Sequence, residues 1–213
     1  MRSLILLLVL MAQAMPPGIT RTPLVDNATV MVARLTMAPS ARETVHTHPF
    51  SAVVVQLQPG EVEMRIGTKP DTGRRDRGHV EFIAAEMPHA AANVGANAFD
   101  VVTIALKPGR KAGGTQPVSA APPGITRALV LDNAEARVAH VTFAPGAREP
   151  VHAHPFDIVL VLLAPGTMDV LVGGDTGVKD YAAGEVVFLS RDVPHAVASA
   201  DEKPFELLSV AVK

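Results

Sequence analysis

Apolar and polar residues alternate with a period of two along much of the chain, as in Glu61-Val62-Glu63-Met64-Arg65-Ile66. Such alternation predicts a strand with one covered face and one wet face. Residues 28–37, 51–58 and 99–107 are richer still in β-branched side chains, and Pro, Gly or Asn bounds them. No window of a dozen residues carries a helical stripe. Roughly seven or eight short strands between turns, in about ninety residues, predict a small sandwich or jelly-roll barrel in an all-β chain.

The pattern is written twice. "PPGITR" at 16–21 returns at 122–127, "APSARE" at 38–43 returns as "APGARE" at 144–149, and "VHTHPF" at 45–50 returns as "VHAHPF" at 151–156. The offset is constant, and 38 of 92 positions are identical between 16–107 and 122–213 without a gap. Chance does not produce this, so the chain is a tandem duplication. The expected domains are 15–107 and 122–213, joined by a linker over 108–121 rich in Gly, Pro, Ser and Lys. No identity falls between 68–77 and 174–183, which predicts a variable loop, with Arg74-Arg75-Asp76-Arg77 at a solvated tip.

Residues 1–14 have another character. Arg2 forms a one-charge n-region, 4–11 an unbroken apolar run, and Ala12-Gln13-Ala14 a small-x-small cleavage site. This is the layout of a secretory signal peptide, too short to span a bilayer, and it predicts a periplasmic or secreted protein. The chain has no cysteine, so an exported form must rely on packing and on any bound metal.

Eight histidines are present, and six obey the repeat: His46, His48 and His89 are matched by His152, His154 and His195. The copies diverge at 54 of 92 positions and still keep three histidines each. On a strand, residues i and i+2 share a face, so each His-x-His projects two imidazoles together. The third, 41 residues further on in both copies, can arrive from a neighbouring strand. Three neutral imidazoles converging in a barrel make a site for a divalent ion with open positions: Zn, Fe, Mn, Ni or Cu. The alternative is a set of hydrogen-bonded histidines in a polar barrel mouth. His79 faces Glu185 and His140 faces Arg34 in the repeat, and both read as surface residues.

Both copies resemble cupin domains, and the whole resembles a bicupin, two tandem double-stranded β-helix (jelly-roll) barrels. The family's first motif runs Gly, five residues, His-x-His, three or four residues, Glu, six residues, Gly. Gly146, His152, His154 and Gly166 fill it in the second copy; in the first, Ser40 stands at the opening glycine and Gly60 at the closing one. The second motif runs Gly, five residues, Pro-x-Gly, two residues, His, three residues, Asn. Gly78, His89 and Asn93 fit it, as do Gly184 and His195, with Ser199 for Asn. The departures bear on chemistry. Val53 and Val159 stand in the glutamate slot, Ala84 and Glu86, like Ser190 and Asp192, replace the motif's Pro and Gly, and neither Asp157 nor Gln56 is expected to substitute. Glu86 and Asp192, three residues before the motif histidines, are either exposed turn acids or acceptors for a ligating histidine's free N–H.

A cation held by neutral ligands keeps nearly its full charge and favours an anionic partner. Val53, Val55, Leu57 and Val159, Val161, Leu163 are expected to line the site with apolar groups, which suits a small anion such as a 1,3-dicarbonyl or hydroxy acid. The resemblance implies dioxygenase-type metalloenzymes, with isomerases and passive ligand binders also among the relatives. Two readings follow: a metal-dependent oxidoreductase, or a non-catalytic binding or structural bicupin. Nucleic acid is not an expected partner, because 19 basic and 21 acidic residues are well mixed and no Trp is present. No membrane association is expected after signal cleavage. The halves are expected to pair like two subunits of a cupin dimer, in a pseudo-dimeric monomer or a homo-oligomer.

Overall fold

Sixteen antiparallel strands build the molecule in a computed structural model that describes residues 15–111, 113–114 and 120–213. The expected signal segment and residues 112 and 115–119 of the linker lie outside those residues. The first half contains β1 (Ile19–Asp26), β2 (Val30–Met37), β3 (Ser51–Gln56), β4 (Gly60–Ile66), β5 (Lys69–Arg75), β6 (Val80–Ile83), β7 (His89–Asn93) and β8 (Phe99–Leu106). The second half repeats them as β9 (Ile125–Asp132), β10 (Ala136–Phe143), β11 (Asp157–Leu162), β12 (Gly166–Val172), β13 (Asp175–Tyr181), β14 (Val186–Leu189), β15 (His195–Ser199) and β16 (Phe205–Val212). Each half folds into a five-stranded sheet, β1-β2-β8-β3-β6 or β9-β10-β16-β11-β14, and a three-stranded one, β5-β4-β7 or β13-β12-β15.

Alternation assigns each side chain to a core. Leu35, Met37, Val62, Met64, Phe99 and Val101 fill the first barrel, and Val141, Phe143, Ile158, Leu160, Leu162, Met168 and Phe205 fill the second. The closing glycine of the first motif is required here, because a Cβ at Gly60 or Gly166 would meet the ring of Phe99 or Phe205 at 2.4 Å.

The opposite faces of the five-stranded sheets pack on each other. Val30, Val32, Val53, Val55, Val102 and Ile104 meet Val138, Val159, Val161, Leu208 and Val210 in one continuous core between the halves. Strands β3 and β11 are therefore covered on both faces, which is why "AVVV" at 52–55 and "IVLVLL" at 158–163 read as apolar runs without alternation. Polar links cross the same seam: Thr29 Oγ1 donates to Asp157 at 2.7 Å, Arg34 to Gly184 O at 2.8 Å, and Ser51 Oγ to Glu135 at 2.7 Å.

This packing corrects two expectations. Val53, Val55, Leu57 and their counterparts Val159, Val161, Leu163 face the seam between the halves and line no site. The stretch 68–77 is no loop: β5 pairs residue by residue with β4, and β13 with β12. These edge strands are exposed on nearly all positions, so their ladders constrain the backbone and leave the side chains free to diverge. Arg74 and Arg75 lie on β5, where Arg75 pairs with Asp71 and Glu81. His79 is exposed and bonds Glu81 at 2.8 Å. His140 differs from expectation: it is half-buried on the Val138 face of β10, 3.4 Å from Glu206.

Candidate metal centre

The repeated histidines gather in each barrel. The candidate ligand nitrogens of His46, His48 and His89 all lie within 4.8 Å of one another, and so do those of His152, His154 and His195. The His-x-His segments are not regular strand. His46 and His152 form isolated bridges to His89 and His195, exchanging backbone hydrogen bonds of 2.8–3.0 Å, while His48 and His154 turn inward just before β3 and β11. The aromatic that follows each pair is part of the arrangement: Phe50 stacks on His48 with centroids 5.2 Å apart, and Phe156 on His154 at 5.5 Å.

Backbone carbonyls fix the rings. A carbonyl can only accept, so His46 Nδ1–H donates to Thr44 O at 2.8 Å and His89 Nδ1–H to Met87 O at 2.8 Å. In the second barrel His152 donates to Pro150 O and His195 to Val193 O, both at 2.9 Å. With Nδ1 protonated, Nε2 presents its lone pair. Glu86 and Asp192 take no part in this; both are exposed turn residues in the left-handed region, with φ of 58° and 60°. Each gives its backbone N–H to the carbonyl of His48 or His154.

Burial and neighbouring charge disfavour protonation of two histidines in each triad. Burial lowers the pKa of His48 to about 4, with further lowering from His46, His89 and Arg21. His154 is likewise lowered to about 4 by burial, then by His152, His195 and Arg127. His89 and His195 are also lowered, chiefly by burial and against the raising effect of their carbonyl acceptors and of Glu43 and Glu149. The donor set fits a divalent metal. Two nitrogens about 2.1 Å from one tetrahedral ion stand roughly 3.4 Å apart, and His152 Nε2 and His154 Nε2 are 3.1 Å apart.

No carboxylate joins either triad as a further ligand among the described residues. Val53 and Val159 point away, and their barrel-facing neighbours Ala52 and Ile158 carry no donor. Asp157 is buried and accepts from Thr29 and from the backbone of Arg191, while Gln56 donates to Gln58 O.

Two further pairs of residues belong to the site, and the sequence reading missed them. From Arg148, bridged to Ala198, to His152, bridged to His195, one strand advances four residues and its partner three. This bulge reverses the alternation, so Arg148 faces out to Asp169 while Glu149 turns to the barrel side and pairs with Arg127. Arg42 and His46 frame Glu43 with the same offset, and Glu43 accepts the backbone N–H of Ala91 at 2.9 Å. Arg127 lies opposite barrel-core Val141, and Arg21 opposite barrel-core Leu35. A usable signal was present: Arg21/Arg127 and Glu43/Glu149 sit in the phrases "PPGITR" and "ARE", which both copies retain. Beside the bulges lie matching clefts of about 330 Å³, lined by Arg148, Val151 and Leu171, and about 210 Å³, lined by Arg42, Val45 and Arg65.

Residues 139–211 match the model of the cupin domain. Solved structures share the fold across nearly the whole chain. A cupin 2 conserved barrel domain protein from Leptotrichia buccalis superposes with a TM-score of 0.64 at 16% identity, covering 94% of this chain and 91% of that one. A salicylate 1,2-dioxygenase from Pseudaminobacter salicylatoxidans gives 0.72 at 13%, covering 90% and 76%. An oxalate decarboxylase from Lactobacillus farciminis, in a formate complex, gives 0.68 at 12%, covering 88% and 78%. No curated protein matches the sequence. The family match lies in the second half, and the chain as a whole has the fold of two cupin barrels in tandem, with a three-histidine cluster in each.

Proposed function

We propose that this bicupin is a metal-dependent protein of the oxygenase type, acting on a small organic anion such as a hydroxy acid or 1,3-dicarbonyl compound. The observation that carries this is the convergence of three imidazoles in each barrel, two of them anchored by backbone carbonyls. His46, His48 and His89, and their counterparts His152, His154 and His195, would hold the ion. When bound, a divalent ion there supplies Lewis acidity toward an anionic oxygen ligand and, if redox-active, access to oxygen chemistry. The chain does the rest: backbone carbonyls aim the rings, Phe50 and Phe156 shield one imidazole of each set from water, and the absence of a carboxylate ligand leaves the centre cationic. That cationic character is the reason for assigning an anionic substrate. The salicylate dioxygenase and oxalate decarboxylase with this fold act on acids by their names, which supports the class.

Elemental analysis of protein purified without a His-tag tests the reading. It requires about one divalent ion per barrel, loss of both in the His46→Ala, His152→Ala double variant, and oxygen uptake with salicylate-like acids or 1,3-dicarbonyls. Metal-free protein whose stability ignores chelators would refute it. The location proposed is extracytoplasmic, on the strength of residues 1–14, and N-terminal sequencing of exported protein should begin at Met15.

A further inference from the structure

The duplicated barrels have diverged in side-chain size at three barrel-facing positions. Equivalent barrel-facing residues are Ala52, Val54 and Ala91 in the first half, and Ile158, Leu160 and Val197 in the second. All three of the larger residues are buried in the second barrel's core. At these three positions beside the histidines' strands the second barrel carries the larger side chain, whereas Leu35 and Met64 of the first correspond to the smaller Val141 and Val170.

The charged pairs have diverged as well. In the second barrel the Arg127 guanidinium is already satisfied by Glu149, whose side chain is only 11% exposed. In the first, Glu43 is engaged with the Ala91 N–H, and the contact of the Arg21 head is the thioether of Met31 at 3.4 Å. Sulfur is a weak acceptor. Among the described residues, no carboxylate lies within ion-pair distance of Arg21. Its position is informative. Met31 lies opposite Ala105, and Ala105 opposite Ala52, so the guanidinium reaches the barrel-facing row beside the strand start that follows His48. Each barrel therefore sets a guanidinium beside its histidine cluster, and one of the two has no anion.

We propose that the N-terminal barrel is the ligand-binding one, and that it takes a small organic carboxylate held between the His46/His48/His89 centre and the Arg21 guanidinium. A planar guanidinium and a carboxylate match in a bidentate geometry, which gives Arg21 both affinity and orientation to contribute. The C-terminal barrel, with its guanidinium paired to Glu149 and larger side chains at Ile158, Leu160 and Val197, serves to support its twin across the seam. This inference rests on the metal-centre reading above.

The test uses the full chain loaded with Co(II), with one centre ablated at a time: His152→Ala leaves the first barrel's centre and His46→Ala the second's. Glycolate is titrated against the visible absorption of the bound cobalt, with azide as an anion that needs the metal alone. The first barrel should bind glycolate at least tenfold more tightly than the second. Arg21→Gln should weaken glycolate about tenfold while leaving cobalt content, melting temperature and azide affinity within twofold, and Arg21→Lys should recover part of the loss. Glu149→Gln, by freeing Arg127, should tighten glycolate in the second barrel. Equal affinity in the two barrels, or glycolate binding indifferent to Arg21→Gln in a cobalt-loaded protein, overturns this inference and leaves the metal centre standing. A chain that takes up no cobalt overturns both.

Discussion

At the scale of single residues, the imidazoles of His48 and His154 are held far below the range of a free histidine, to about 4. The sign of the consequence is fixed. In the unfolded chain these rings bind protons near 6.5, as a free histidine does, and in the folded chain only near 4, so between those values the unfolded state holds more protons. Stability of the metal-free protein should therefore be flat above about pH 6.5 and fall as pH drops from there toward 4. Urea midpoints at pH 7.5, 5.5 and 4.5 measure this, and a midpoint that rises on acidification would contradict it. A second prediction concerns backbone strain. Ser40, Glu86 and Asp192 adopt φ of 64°, 58° and 60°, where the family motifs place glycine at each of the three and where Gly146 has φ of 69°. A side chain in this region costs on the order of 1 kcal/mol. Ser40→Gly and Glu86→Gly should each raise stability by several tenths to about 1 kcal/mol, after glycine's greater unfolded-state freedom is offset. The histidines were legible in the sequence because the repeat kept all six while most positions changed. The repeat kept Glu43 and Glu149 as well, but their direction was not legible, because a bulge with no sequence mark of its own turns them toward the barrel.

At the scale of elements, strand β3 shows how far a motif spacing can be trusted. Counting residues from His48 puts the family's glutamate at Val53, but the strand enters with the phase that aims Val53 at the seam, where it is fully buried. Restoring the family residue should therefore fail as a repair. Val53→Glu would bury a carboxylate in the seam beside Val32, Ile104 and Val210, and should cost on the order of 3 kcal/mol or more. Metal affinity should be unchanged where the protein still folds. Denaturant unfolding with parallel cobalt titration separates the two effects, and tighter cobalt binding would show that β3 can rotate its register. Strand periodicity was readable wherever one face is buried and one is wet, as in β4. It was unreadable in β5, because an edge strand exposed on both faces has no reason to alternate.

At the scale of the whole molecule, duplication alone could not say which faces of the two barrels meet, but the doubly apolar runs of β3 and β11 mark the strands that must be covered twice. The seam they form has the composition of an interior, with Val30, Val32, Val53, Val102, Val138, Val159, Leu208 and Val210 all at 0% exposure. Neither barrel can unfold without exposing that surface on the other, so the halves should unfold as one cooperative unit despite having separate barrel cores. Leu208→Ala probes this from one side only. Deleting most of a fully buried leucine side chain costs about 2–5 kcal/mol, and the loss should appear as a single calorimetric transition at lower temperature that carries both halves with it. Metal added to either barrel should raise that one transition, through preferential binding to the folded state. A Leu208→Ala protein that melts in two steps, the second half before the first, would show that the seam joins two independently stable barrels.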